Sequence, residues 1–248
     1  MMFSRSDYAA APPAVARNDA KARDWGAGWP DCQREKLAAV ERAGVKVYVR
    51  KEIAQLVATL LEATEKTYKY DVKAGQTWGF ACRAIRGSQA ASNHSWGLAV
   101  DINSLANPMG SPFRSDIPPG VVAMWWAAGF YWGGWYQKRP DTMHFEYVRR
   151  PTNVAADLAT AKSYLTRPRA GSAPAWSGRR LRLTDPHLGG ADVTWVQDRL
   201  NAKGASPKLA VDGVWGSITD QAFRRFQERA RLTVDGVYGP RSHAALAS

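Results

Sequence analysis

The spacing of apolar residues changes period along the chain, and each change marks an element. Val45, Val47 and Val49 recur at every second position, the spacing of a strand with one buried face. Ile53, Leu56, Val57, Leu60 and Leu61 then fall at i, i+3, i+4, i+7 and i+8, which predicts an amphipathic helix. Segment 77–85 reads as a second strand, 98–103 as a third, 121–129 as a helix and 143–148 as a closing strand. Pro151 suits the first turn of an Ala-rich helix that runs to about Tyr164. Beyond it, residues 167–178 are rich in Pro, Gly and Ser and have no apolar period, the mark of a linker. The pattern predicts an α+β fold, a small mixed or antiparallel sheet with flanking helices over residues 30–164. An extension (1–29) precedes it, and a linker (165–182) and a second domain (183–248) follow.

The second domain carries an internal repeat. Val211-Asp-Gly-Val-Trp-Gly216 returns as Val234-Asp-Gly-Val-Tyr-Gly239, 23 residues later. Each copy is expected to form a turn that opens a helix, with Asp212 and Asp235 making turn or capping bonds. Ala222, Phe223 and Phe226 supply the apolar face of the helix between them, and Val193, Val196 and Leu200 that of an earlier one. A three-helix domain is predicted. Over residues 187–246 it closely resembles the peptidoglycan-binding-like domain found beside many wall hydrolases. The resemblance rests on Gln197, Leu200, Asp212-Gly213, Gly216, Thr219, Ala222, Phe226-Gln227 and Asp235-Gly236. The wall-binding role is what the resemblance implies; the residues themselves read as turn and core positions.

Composition narrows the classes that remain. Apolar residues make up 45% and charged residues 23%, as in a soluble protein able to bury a core. No apolar run approaches the roughly 18 residues of a membrane helix, so no membrane insertion is expected. Met1 to Pro30 holds no apolar signal-peptide core, and synthesis and accumulation in the cytoplasm are expected. The net charge is +12, and residues 149–182, with eight basic groups and one acidic, carry +7 of it. Such a segment can hold a protein near nucleic acid, anionic lipid or a bacterial wall. No nucleic-acid-binding motif accompanies it, so nucleic acid is not an expected partner. Cys32 and Cys82 are too few for a disulfide scaffold and wrongly spaced for a Cys-based zinc site. Two buried thiols and a single bridge from the N-terminal segment to the core both stay open.

The chemistry is concentrated around two histidines. Ser92-Asn-His94-Ser-Trp-Gly97-Leu-Ala99-Val-Asp101 places a histidine on a Gly-containing turn and an aspartate in the next strand. Leu98, Val100 and Ile102 share one face of that strand, which leaves Asp101 on the other. In the closing strand Met143, Phe145 and Tyr147 form the apolar face and send His144 and Glu146 to the opposite side. Two imidazoles and a carboxylate are a zinc set that leaves one position open. Trp125, Trp126, Phe130, Tyr131, Trp132, Trp135 and Tyr136 crowd the stretch before the second histidine, as core and cleft wall or as stacking surface for substrate.

Taken together, Ser92-x-His94-x-x-Gly97-x-Ala99-x-Asp101 and Asp141-x-x-His144-Phe-Glu146 strongly resemble the zinc D-Ala-D-Ala carboxypeptidase and L-alanyl-D-glutamate peptidase family of phage endolysins and bacterial wall enzymes. The resemblance covers roughly residues 30–150. It implies a zinc cleft with one Zn2+ per chain on His94, Asp101 and His144, Asp141 as general base, and bacterial peptidoglycan as substrate. Strand parity would put Asp141 opposite His144, so the strand must begin after Pro140-Asp141. Glu146 is either a rival base or a partner orienting an imidazole. Arg83, in Gly79-Phe-Ala-Cys-Arg83, resembles the family's arginine that stabilises an oxyanion or grips a substrate carboxylate, and Arg86 is close enough to be confused with it. Ser92 reads as a hydrogen-bonding loop residue, since no base is paired with it.

The function expected is that of a monomeric phage endolysin, made in the host cytoplasm and acting on the wall after membrane permeabilisation. The Asp141 base and the Asp-x-x-His-Phe-Glu form favour L-alanyl-D-glutamate endopeptidase over D-Ala-D-Ala carboxypeptidase. A wall-binding protein with an inactive peptidase domain is the rival from another class.

Overall fold

A computed structural model of the chain describes residues 2–8, 11–12, 20–165, 176–185 and 187–248. It divides into two units, Met1–Leu165 and Thr166–Ser248, each with its own apolar core. In the first unit β1 (Leu37–Arg42) and β2 (Val45–Arg50) form an antiparallel hairpin. The connecting Ala43-Gly44 both have positive φ, the geometry that a two-residue hairpin loop needs. Val45, Val47 and Val49 point into the core while Lys46 and Tyr48 stay exposed, as the alternation predicts. The partner strand β1 has no such signal, because only Val40 of its six residues is fully buried. The predicted helix is α1 (Ala54–Lys66), and Leu56, Val57, Leu60 and Leu61 are completely buried on its inner face.

A second sheet carries the chemistry. It joins β3 (Ala99–Asp101), β4 (Phe130–Trp132) and β5 (His144–Tyr147) in the order β3-β5-β4, antiparallel throughout. Pro119–Ala127 form α2, ahead of β4, and Val154–Leu165 form α3 after a 3-10 turn at Pro151–Asn153. The register sets Asp101 opposite His144 and Ala99 opposite Glu146. This is an α+β arrangement with small antiparallel sheets.

Segment 77–85 departs from expectation: it is no regular strand and makes only isolated bridges, at Trp78 with Asp101 and at Ala84 with Ala91. Its backbone is shared between two sheets. Phe80 N donates to Tyr48 O (2.7 Å) on the hairpin, and Trp78 exchanges hydrogen bonds with Asp101 (3.1 and 2.9 Å) on the second sheet. No ladder can propagate from such alternating partners.

The stretch expected as an N-terminal extension is, where described, part of the first unit. Trp25 is 1% exposed, and its indole N–H donates to Arg149 O (2.9 Å). Tyr8 and Ala20 are buried in the same core. Cys32 and Cys82 are joined by a disulfide, which settles the open pairing in favour of the bridge.

The second unit has α4 (Ala191–Ala202), α5 (Ser217–Arg229) and α6 (Pro240–Ala247) around Val193, Val196, Leu200, Trp215, Phe223 and Leu246. Much of the expected linker, residues 166–175, lies outside the described residues. Its last residues belong to the second unit, where Leu181 is buried and pairs through its backbone with Tyr238 (3.2 and 2.8 Å). Among the described residues no helix is long and apolar enough to cross a membrane.

Candidate metal centre

Local chain geometry brings the two motifs together. Asn93–Trp96 form a single 3-10 turn that presents His94, and Gly97 ends it at φ +71° with its N–H on His94 O (3.0 Å). A side chain at Gly97 would be strained at this φ and would set its Cβ 2.7 Å from Arg50 N. The chain then enters β3, whose pairing with β5 places Asp101 beside His144. β5 begins at His144, so Asp141 lies before the strand. His144 N donates to Asp141 O (3.1 Å), a tight turn that relieves the parity conflict.

The outcome is a buried triad. His94 Nε2, His144 Nδ1 and Asp101 Oδ1 form a triangle with edges of 3.1, 3.2 and 2.9 Å. The three residues are 1%, 7% and 5% exposed. Each is held from behind. His94 Nδ1 donates to Gly79 O (2.5 Å), and Trp78 Nε1 donates to Asp101 Oδ2 (3.0 Å). Glu146 Oε2 stands 3.6 Å from His144 Nε2 and is itself fixed by Asn93 Nδ2 (2.5 Å), while Tyr136 OH donates to Oε1 (2.7 Å).

Electrostatics favour a positive charge in this space. Burial alone would raise the Asp101 pKa, but the two imidazoles outweigh it and hold the carboxyl well below the usual range. Burial likewise opposes charge on His144, yet the bonds to Asp101 and Glu146 prevail and push its pKa well above the ordinary value. Glu146 is held low by the same pairing against a burial penalty. Asp141 behaves oppositely: burial lifts its pKa to about 6, against the lowering influence of His144. Its Oδ1 is buried and has no hydrogen-bond partner among the described residues.

The donor set fits a metal ion. A carbonyl oxygen can only accept, so the bond to Gly79 O makes Nδ1 the donor of His94 and leaves Nε2 facing the triad. Lone pairs that converge on one point are stabilised by a positive charge among them, which a metal ion supplies. Zinc bonds of about 2.0–2.1 Å give tetrahedral edges of about 3.3 Å. The triangle is a few tenths of an ångström tighter than that. The three side chains are the cluster of potential metal ligands found among the described residues.

The remaining sequence candidates separate. Arg83 is exposed, and its charge reaches Asp141 and lowers its pKa. Arg86 is also exposed. Ser92 acts through its backbone, accepting from Ser95 N (2.8 Å) and donating to Arg83 O (3.3 Å). Of the aromatic run, Trp125, Phe130, Tyr131, Trp132 and Trp135 are core residues. Tyr131, Trp135 and Tyr136 also line an open groove with Lys138 and Arg139. Trp78, Gly79 and Asn93 were not legible as site residues, and Tyr136 was legible only as one of an aromatic run, because each reaches the triad through a contact between distant segments.

Comparison with known proteins falls on the same two parts. Residues 86–147 match a family model described as D-alanyl-D-alanine carboxypeptidase, and residues 189–246 match one described as putative peptidoglycan binding domain. The chain is 43% identical over 60 residues to the N-acetylmuramoyl-L-alanine amidase CwlL of Bacillus licheniformis, covering 24% of this chain and 17% of that protein. A probable N-acetylmuramoyl-L-alanine amidase of the same organism is 39% identical over 62 residues, 25% of this chain and 18% of that protein. The chain therefore spans less than a fifth of the length of these curated relatives. The crystal structure of SleB N-terminal domain aligns at 36% identity over 29% of this chain and 93% of that one, with a TM-score of 0.26. The chain thus pairs a segment that matches the family model described as D-alanyl-D-alanine carboxypeptidase, and that holds the triad, with a segment that matches the one described as putative peptidoglycan binding domain.

Proposed function

We propose that the chain is a zinc-dependent peptidoglycan peptidase that cuts the stem peptide, with the second unit holding it on the wall. The observation that carries this reading is the convergence of His94, Asp101 and His144 beside an acid whose Oδ1 is buried and, among the described residues, without a hydrogen-bond partner. His94, Asp101 and His144 are the ligands, one ion per chain. Bound there, zinc supplies a Lewis acid that polarises a carbonyl and brings the pKa of water toward neutrality.

The chain's own residues do the rest. Asp141 in its ionised form accepts the proton of the attacking water on its carboxylate and returns it to the leaving amine. Arg83, exposed near Asp141, lies where it can offset charge on the scissile carbonyl oxygen or bind a substrate carboxylate. Glu146 is not the base: Asn93 and Tyr136 occupy its oxygens, and it orients His144. Asn93 and Tyr136 fix Glu146 in turn.

L-Ala–D-Glu cleavage is the preferred bond, because the Asp141-x-x-His144-Phe-Glu146 form is like that of the endopeptidases and such a cut breaks the wall mesh. This is the role of a phage endolysin in host lysis. The description of the matched family model favours a second reading, D-Ala–D-Ala carboxypeptidase. Mass analysis of muropeptides released from purified walls separates the two. New N-terminal D-Glu is expected; release of free D-Ala with no new amino terminus would establish the second reading. No cleavage of any kind, with the metal bound, would leave a wall-binding protein.

A further inference from the structure

Trp78 is anomalous among the large apolar residues around the triad. The residue is 40% exposed, so burial alone does not explain its place, while its one polar side-chain atom is turned inward. The indole N–H donates to Asp101 Oδ2 (3.0 Å), and its backbone exchanges two further hydrogen bonds with Asp101. The other carboxylate oxygen, Oδ1, is the one that faces His94 Nε2 and His144 Nδ1. The two oxygens of Asp101 therefore have separate tasks.

The next residue extends the brace. Gly79 O receives His94 Nδ1, and a Cβ on Gly79 would lie 2.3 Å from Tyr48 O, so the segment lies flush against the hairpin. Phe80 N ties it to the same Tyr48 O (2.7 Å). Two of the three triad residues are thus held by consecutive residues of one short segment anchored to a separate sheet.

From this geometry we infer that Trp78 is a positioning residue of the metal centre: its indole N–H occupies Asp101 Oδ2 and restricts the carboxylate to one-oxygen ligation. The inference rests on the metal-centre reading and deepens it. A carboxylate binding through both oxygens would take up the coordination position that a catalytic zinc keeps open. The indole, a donor with no acceptor capacity, cannot compete for the ion itself.

Trp78→Phe removes the N–H and keeps a ring at a partly exposed site. Metal-free protein is titrated with Zn2+ against a chromophoric chelator, and with Co2+ followed by its visible absorption bands. Zinc affinity is expected to fall about 10- to 100-fold, as for loss of an outer hydrogen bond to a ligand, with altered Co2+ bands. Unchanged affinity and unchanged bands would overturn the inference. His94→Ala, titrated in parallel, tests the underlying reading: if it binds zinc as the wild type does, the triad is not the metal site, whatever Trp78 does. Zinc K-edge absorption on the wild-type protein needs no variant and keeps the inference testable should Trp78→Phe fail to fold. One carboxylate oxygen on the ion is the expected result, and a bidentate carboxylate is the contrary one.

Discussion

His144 and Asp141 sit three residues apart and feel opposite fields. The imidazole lies between Asp101 and Glu146, which makes a positive charge on it favourable despite burial. The carboxyl of Asp141 loses hydration and finds no donor for Oδ1 among the described residues, so burial raises its pKa to about 6. A base must be ionised, and Asp141 is protonated below its pKa, so activity is lost as pH falls through that value. A cation on the triad lowers the pKa further. The acid limb of kcat/KM is therefore expected at or below about pH 6, and a limb well above that would remove Asp141 from the role of base. Asp141→Asn should retain the metal and lose about 10²-fold or more in kcat/KM. His94→Ala and His144→Ala should lose the metal, as read by metal analysis. Activity retained in Asp141→Asn but lost in Glu146→Gln would reverse the assignment of the two acids.

At the scale of elements, the repeat proves to be a hydrogen-bonded clamp used twice. Gln197 Nε2 donates to Asp212 Oδ1 (2.7 Å), Gln197 Oε1 accepts from Gly213 N (2.8 Å), and Asp212 Oδ1 accepts from Val214 N (2.9 Å). Gln227, Asp235, Gly236 and Val237 repeat the set at 2.8, 2.9 and 2.8 Å. A glutamine on one helix thereby satisfies the turn that opens the next. The copies differ in burial. Asp212 is partly buried and its pKa is raised by desolvation, whereas Asp235 is exposed and its pKa is lowered by its backbone hydrogen bonds. Gln197→Ala strips a desolvated carboxylate of a donor and should destabilise the second unit by about 1–3 kcal/mol. Gln227→Ala leaves its carboxylate to water and should cost less. Hydrogen exchange of residues 187–248 in the full chain reads both, and equal effects would mean that burial does not set the cost. Here lies the line between what was legible and what was not. The repeat announced the turns, and strand parity put Asp101 and His144 each on the polar face of its strand, because both are local periodicities; that His94 joins them in one ligand set was implied by the family resemblance. The glutamines' reciprocal bonds, β1, and the sharing of segment 77–81 between two sheets depend on which distant backbone comes alongside, and no local pattern carries that information.

The whole molecule is two cores on one chain, and its charge is concentrated at the join. Residues 149–182 hold +7 of the net +12, with arginines at 149, 150, 167, 169, 179, 180 and 182. Some of these have local partners: Arg149 pairs with Asp157, Arg150 with Asp24, and Arg179 with Asp192 (3.0 Å). Among the described residues Arg180 and Arg182, both exposed, have no such ion pair and contribute to the field around the join. On the proposed function the polymer it meets is a wall bearing carboxylates and phosphates, so tethering has two components. One is recognition by the second unit, short in range and weakly dependent on salt. The other is the field of the basic segment, which is screened over about 10 Å at 0.1 M salt. A chain ending at Arg167 should therefore cleave soluble muropeptides at the full-length rate while binding purified walls poorly, since effective concentration on the wall is lost without any change to the triad. The full chain with Arg180 and Arg182 changed to Gln should bind walls more weakly at low salt and match the wild type at high salt. Binding that is equally salt-dependent in both proteins would take the basic segment out of the tether and leave wall capture to the second unit alone.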